Sequence, residues 1–174
     1  PHKQNDKNVN ICPMASKGCI SACLYTAGRG KFSNVQNARI NKTNFYVYDK
    51  ELFILKLAGE IIKETAKAKK NNEKIAFRLN GTSDIDFIYL LQKYASLNIE
   101  DLKENSIFYD YTKILGKIRK YKDHSNYHLT FSRAENNSSV SEAVLNDGAN
   151  VSIVFRNGLP RFWRGYKVID GDTS

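Results

Sequence analysis

Nowhere in the 174 residues does an apolar run approach the ~20 residues needed to cross a bilayer. Residues 1–10 are predominantly polar and lack the hydrophobic centre of a secretory signal. These two absences predict a soluble chain of the cytosol with no membrane partner. No Gly-x-Gly-x-x-Gly or Walker-type loop occurs, which disfavours a nucleotide triphosphate enzyme. From residue 40 onward there is no repeat and no low-complexity linker, so nothing divides the chain. Cysteine is absent after residue 23, and the three that exist cannot all pair. A disulfide framework spreads its cysteines to close loops, so that class is excluded as well.

What is present suits a single α/β domain over residues 1–174, with a cysteine loop at 12–23. The chain is 41% hydrophobic and 26% charged, enough for one sizeable core and too short to require two. Lys and Arg number 27 against 18 Asp and Glu, a net charge of +9 that favours polyanions such as nucleic acid. The basic residues are scattered. Lys67, Lys69, Lys70 and Lys74 sit where a helix ends, and there they complement the helix dipole.

Leu55, Ala58, Ile62 and Thr65 recur at helical spacing within residues 49–70. Lys74-Ile75-Ala76-Phe77-Arg78-Leu79 reads as a strand, residues 87–94 as a helix and Ser106-Ile107-Phe108-Tyr109-Asp110-Tyr111 as a strand. A short basic helix over 114–121, a strand over 127–131, a helix over 139–146 and a β-branched strand over 150–155 follow. Lys167-Val168-Ile169 would be the last strand and Asn8-Val9-Asn10-Ile11 the first. Strands alternating with helices predict a parallel sheet, closed as a barrel or open and doubly wound. In both, the polar residues after the strands gather at the end where ligands bind. Those are Asn80-Gly81-Thr82-Ser83-Asp84, Tyr111-Thr112-Lys113, Ser132-Arg133-Ala134-Glu135-Asn136 and Asp170-Gly171-Asp172, together with the cysteine loop.

Cys12, Cys19 and Cys23 are separated by six and three residues, with Gly18 allowing a tight bend. Three thiolates on one loop can hold three corners of a [4Fe–4S] cluster and leave one iron open to a small-molecule ligand. Zinc competes, but His2, His124 and His128 lack metal-ligand spacing to the cysteines. Three unmetallated thiols would be the bland reading. Ser83 or Asp84 could cap the helix after residue 84. Arg133 has the planar fork that grips a carboxylate, unless it pairs with Glu135 within a surface loop. Asp170 and Asp172 read first as a turn. Tyr46, Tyr48, Tyr109 and Tyr111 alternate as in strands, and core or sheet packing explains them better than base stacking does.

Several of these segments resemble a known family. Cys12-Pro13 through Cys19 to Cys23-Leu24-Tyr25, Arg78-Leu79-Asn80-Gly81-Thr82-Ser83-Asp84, Phe108-Tyr109-Asp110-Tyr111-Thr112-Lys113, Leu129-Thr130-Phe131-Ser132 and Val168-Ile169-Asp170-Gly171-Asp172 are similar, in order, to the phage and plasmid family called gene product 88. The resemblance implies a bacteriophage or mobile-element origin. Family members usually continue past the Asp-Gly-Asp segment, which implies a short or incomplete member here. The layout also resembles a reduced radical S-adenosylmethionine enzyme, a partial (β/α)6 TIM-like barrel. That likeness implies Asn80, Thr82, Ser83 and Asp84 facing the methionine amino group, and Ser132 and Arg133 its carboxylate or ribose. Such enzymes mostly use Cys-x-x-x-Cys-x-x-Cys, from which six-and-three spacing departs.

The expectation is therefore a [4Fe–4S] protein with Cys12, Cys19 and Cys23 as ligands and S-adenosylmethionine as the most concrete second cofactor. The alternatives are a nucleic-acid-binding or regulatory module with a structural metal, and a redox carrier.

Overall fold

The computed structural model describes residues 7–171 and 173. The expected roles of His2 and Asp172 fall outside the described residues. Four strands, β1 (Ile75–Phe77), β2 (Ser106–Thr112), β3 (Tyr127–Ser132) and β4 (Val151–Ser152), form one parallel sheet in the order β1-β2-β3-β4. The chain begins with α1 (Lys17–Ser21), α2 (Ser33–Tyr48) and α3 (Lys50–Lys70). Then α4 (Phe87–Ala95), α5 (Leu115–Tyr121) and α6 (Ser138–Asn146) connect the successive strands. Sequential order has no reversal, so right-handed crossovers keep every connecting helix on one face of the sheet.

The core agrees. Phe108 and Tyr127, which are register partners, pack with Ile54, Ala58 and Ile61 of α3 and with Phe87, Leu90 and Leu91 of α4. Phe131 packs with Ile118 of α5 and Val144 of α6. Phe77 stacks on Phe108 with ring centroids 5.1 Å apart. Along β2 the residues at 106, 108, 110 and 112 are buried while Tyr109 and Tyr111 are exposed, the period-two signature of a sheet covered on one side.

Helix α3 starts where the sequence puts it, because Asp49 caps it by accepting from the Leu52 N–H. Its buried stripe is Ile54, Ala58, Ile61, Thr65 and Ala68, not the stripe through Leu55 and Ile62, which stay exposed. The helix is apolar around more than half its circumference, so two stripes compete and tertiary packing selects one. Helix α4 is capped by Asp86, whose Oδ1 accepts from the Tyr89 N–H, and not by Ser83 or Asp84.

Three sequence expectations change. Residues 8–11 are not a strand; Ile11 is held by a single bond from the Asp84 N–H to its carbonyl. The strand expected over 150–155 narrows to β4. Of the last expected strand, 167–169, only Lys167 is in strand, at the end of an antiparallel hairpin, β5 (Phe162–Trp163) with β6 (Tyr166–Lys167), separate from the parallel sheet. Its two-residue turn, Arg164-Gly165, has positive φ at both positions (51° and 84°), the conformation that matches hairpin twist. Among the described residues no helix is long and apolar enough to cross a membrane.

Candidate functional site

A parallel sheet aims all its strand ends the same way, and the loops after β1, β2 and β3 meet the cysteine loop there. The first is organised by Asn80, 2% exposed, whose carboxamide has no spare capacity. Its Oδ1 accepts from the Ser83 hydroxyl (2.7 Å) and the Ile85 N–H (2.9 Å), and its Nδ2 donates to the Ile85 carbonyl and to Asp110 Oδ2, both at 3.0 Å. The Asn80 N–H donates to the other Asp110 oxygen at 2.9 Å. Burial raises the Asp110 carboxyl above its ordinary range, with the Asn80 bonds and the charges of Lys117 and Arg78 pulling it back. Asn80 thus shapes the loop from inside, with Ser83 as its partner. Thr82 is half-buried on the same loop.

Asp84 is the hub of the strand ends. Its carboxylate accepts from Thr112 Oγ1 (2.8 and 2.9 Å), from the Lys113 N–H (3.0 Å) and from Lys117 Nζ (2.8 Å). The Asp84 and Lys117 side chains are each only 6% exposed, which makes this a buried ion pair, and Lys117 also donates to the Ile85 carbonyl. The loops after β1 and β2 are thereby locked together.

The cysteine loop is fastened from two sides. Glu135, after β3, accepts from the Ser16 hydroxyl and the Gly18 N–H, both at 2.8 Å. The Gly18 bond, the backbone N–H of Glu135 and the Ser16 bond hold its carboxyl below the usual carboxylate range. A Cβ on Gly18 would stand 3.1 Å from both carboxylate oxygens, so any other residue there would push the Glu135 carboxylate back by a few tenths of an ångström. Arg39 of α2 donates to the Leu24 carbonyl. A Cβ on Gly30 would collide with the Leu24 and Tyr25 carbonyls. Glu135→Ala is expected to leave the sheet intact and free the loop: limited proteolysis should cut between residues 12 and 25 faster, with an unchanged urea midpoint.

All three cysteines are free and half-buried. The Cys12 N–H donates to Asn10 Oδ1, the Cys19 N–H to Ser16 Oγ, and the Cys23 carbonyl accepts twice from Thr26. The Cys12 thiol is pushed up to about 11, first by burial, then by the negative charges of Asp84, Cys19 and Cys23, with Lys113 opposing. Among the described residues, no three His, Cys, Asp or Glu side chains form a ready-made metal-binding group. A groove of about 300 Å³ borders the loop, with Asn10, Ile11 and Pro13 on one side and Tyr46, Lys50 and Tyr89 on the other. A slightly larger cavity, about 360 Å³, lies at the opposite end of the sheet, away from the cysteines.

Ser132 ends β3, half-buried, its carbonyl accepting from Asn137. Arg133 does not pair with Glu135. Its Nη2 donates to Ser138 at 3.0 Å, its guanidinium lies over the Trp163 ring at 5.7 Å, and its buried Nε has no partner. Sequence reasoning missed Asp110 and Lys117, and it placed Glu135 at a polar strand end or in a local ion pair without foreseeing that it fastens the cysteine loop. No local pattern announces them, because their partners lie from about 30 to more than a hundred positions away.

No curated protein and no solved structure matches the chain. The sequence profile described as gene product 88 matches residues 1–174, which is the whole length, and the chain belongs to the gene product 88 family.

Proposed function

We propose that the chain is a phage iron–sulfur protein of the host cytosol. In this reading Cys12, Cys19 and Cys23 hold one [4Fe–4S] cluster at the mouth of a partial (β/α) barrel, and the most concrete reaction class is radical S-adenosylmethionine-like. One observation carries the reading. Three unpaired, half-buried thiols share one loop fastened at the ligand-binding end of a parallel sheet.

The donor type suits a cluster, since thiolates are the ligands iron–sulfur clusters take, and among the described residues the three thiols would have to draw together to hold one. Burial and neighbouring negative charge hold the Cys12 proton on, and a bound cation would offset both as the proton leaves. The fastenings lie at Ser16, Gly18 and Leu24, which leaves the cysteine side chains free to draw together. When bound, a cluster with three protein ligands supplies one iron open to a small molecule, such as the amino and carboxylate groups of S-adenosylmethionine, and an electron source beside it.

The chain's own residues prepare the surroundings. Asp84 and Asn80 keep the loop after β1 rigid, Arg133 carries a planar guanidinium of the kind that grips a carboxylate, and the groove beside Cys12 can shelter a substrate. The sequential strand order with helices on one face is the winding of a barrel, which supports that finer description of the fold. Electron paramagnetic resonance of the anaerobically reconstituted, reduced protein tests the reaction class. S-adenosylmethionine is expected to change the cluster signal, and an unchanged signal removes the radical reading.

A further inference from the structure

We propose that the helix-free face of the sheet binds single-stranded nucleic acid, with bases stacking on Tyr109 and Tyr111. Parallel sheets are ordinarily covered on both faces. Among the described residues the helices pack only against the face that carries Phe77, Phe108 and Phe131, and nothing covers the opposite face. The register places Tyr109 beside His128 and Tyr111 beside Thr130 on that open face. The two tyrosines are 39% and 40% exposed, far more than core packing would leave them. Both rings lie in the sheet, as the sequence reading has it, but outside the core. Tyr46 and Tyr48 lie on α2, where Tyr46 packs against the core and Tyr48 is exposed.

Two tyrosines two residues apart on a strand stand about 6.6 Å apart, which gives each its own stacking surface. Base-on-aromatic stacking tolerates any sequence because every base has a π face. The Arg78 guanidinium lies over the Tyr111 ring, 4.9 Å from its centroid, so one face of that ring already carries a positive charge that could meet a phosphate and the other is left for a base. The one acidic residue in the four strands, Asp110, belongs to the covered face, so no strand residue on the open face opposes a polyanion. The net charge of +9 adds long-range attraction. Tyr109, Tyr111, His128 and Thr130, with Ala76 and Ile107 beside them, make a mainly polar, aromatic surface, which suits a stacked strand better than a protein partner seeking apolar area. A duplex hides its base faces and gains only the electrostatic part.

This inference is independent of the cysteines and is tested with the full chain as isolated, by anisotropy of a fluorescein-labelled oligo-dT strand and of a duplex of equal length. The expected result is preferential binding of the single strand, weakened steeply between about 50 and about 200 mM salt. Tyr109→Ala and Tyr111→Ala should each weaken it roughly tenfold. The matching Tyr→Phe variants should keep it, because they retain the ring. Equal affinity for strand and duplex, no loss in the alanine variants, or no binding at all would overturn the proposal. Sedimentation showing that the same alanine variants abolish self-association instead would assign the face to a second copy of the chain and overturn it too.

Discussion

Lys117→Met is expected to cost about 3–5 kcal/mol of folding stability, read as a lower urea midpoint at an unchanged slope. Lys117 is the charge partner of Asp84, and the two side chains are almost fully withdrawn from water. Methionine preserves most of the volume that α5 needs, so packing is not the issue. What changes is that the Asp84 carboxylate keeps its bonds to Thr112 and Lys113 but loses the only cation within 4.0 Å of it among the described residues. An uncompensated buried charge is far more costly than a missing surface ion pair. The Ile85 carbonyl keeps its bond from Asn80, so the loss falls on Asp84. For comparison, Lys120→Met breaks the partly exposed pair with Asp86 and should cost no more than about 1 kcal/mol. Equal losses in the two variants would show that burial of the Asp84 pair is not what matters.

Serine in place of any one of Cys12, Cys19 or Cys23 is expected to abolish cluster retention while leaving the fold in place. Each cysteine would supply one of three ligands, and a cluster with two is labile. None of the three sulfurs belongs to the packed cores formed by α3, α4, α5, α6 and the sheet, so circular dichroism of the variants should match that of the parent. The readout is the visible absorbance and the iron content after anaerobic reconstitution, which should fall in all three variants alike. A variant that keeps its full iron content identifies a cysteine that is not a ligand.

The residues that made the fold legible in sequence were those with clean periodicity. Strands β2 and β3 and helices α3 to α6 were readable because their apolar positions recur at two or at 3.6. Helix α2 was not, since no residue of it is fully buried and no apolar stripe marks it. The first expected strand failed because the apolar pair Val9 and Ile11 can also serve a loop that is fastened at one carbonyl. For the site, the general rule that ligands gather beyond the carboxyl ends of parallel strands placed the cysteines with residues 80–84 and 132–135. The rule cannot say which polar side chains turn inward. Asn80 and Asp84 are consumed by contacts with Asp110, Thr112 and Lys117, partners that only the sheet register brings near. Likewise Glu135 and Arg133 look like an ion pair in sequence. In the fold one fastens the cysteine loop and the other lies over Trp163.

The most direct test of the central claim is the iron, sulfide and zinc content of protein purified without oxygen. The cluster reading calls for about four iron and about four sulfide per chain with negligible zinc. About one zinc with no sulfide, or near-zero values for all three, would contradict it.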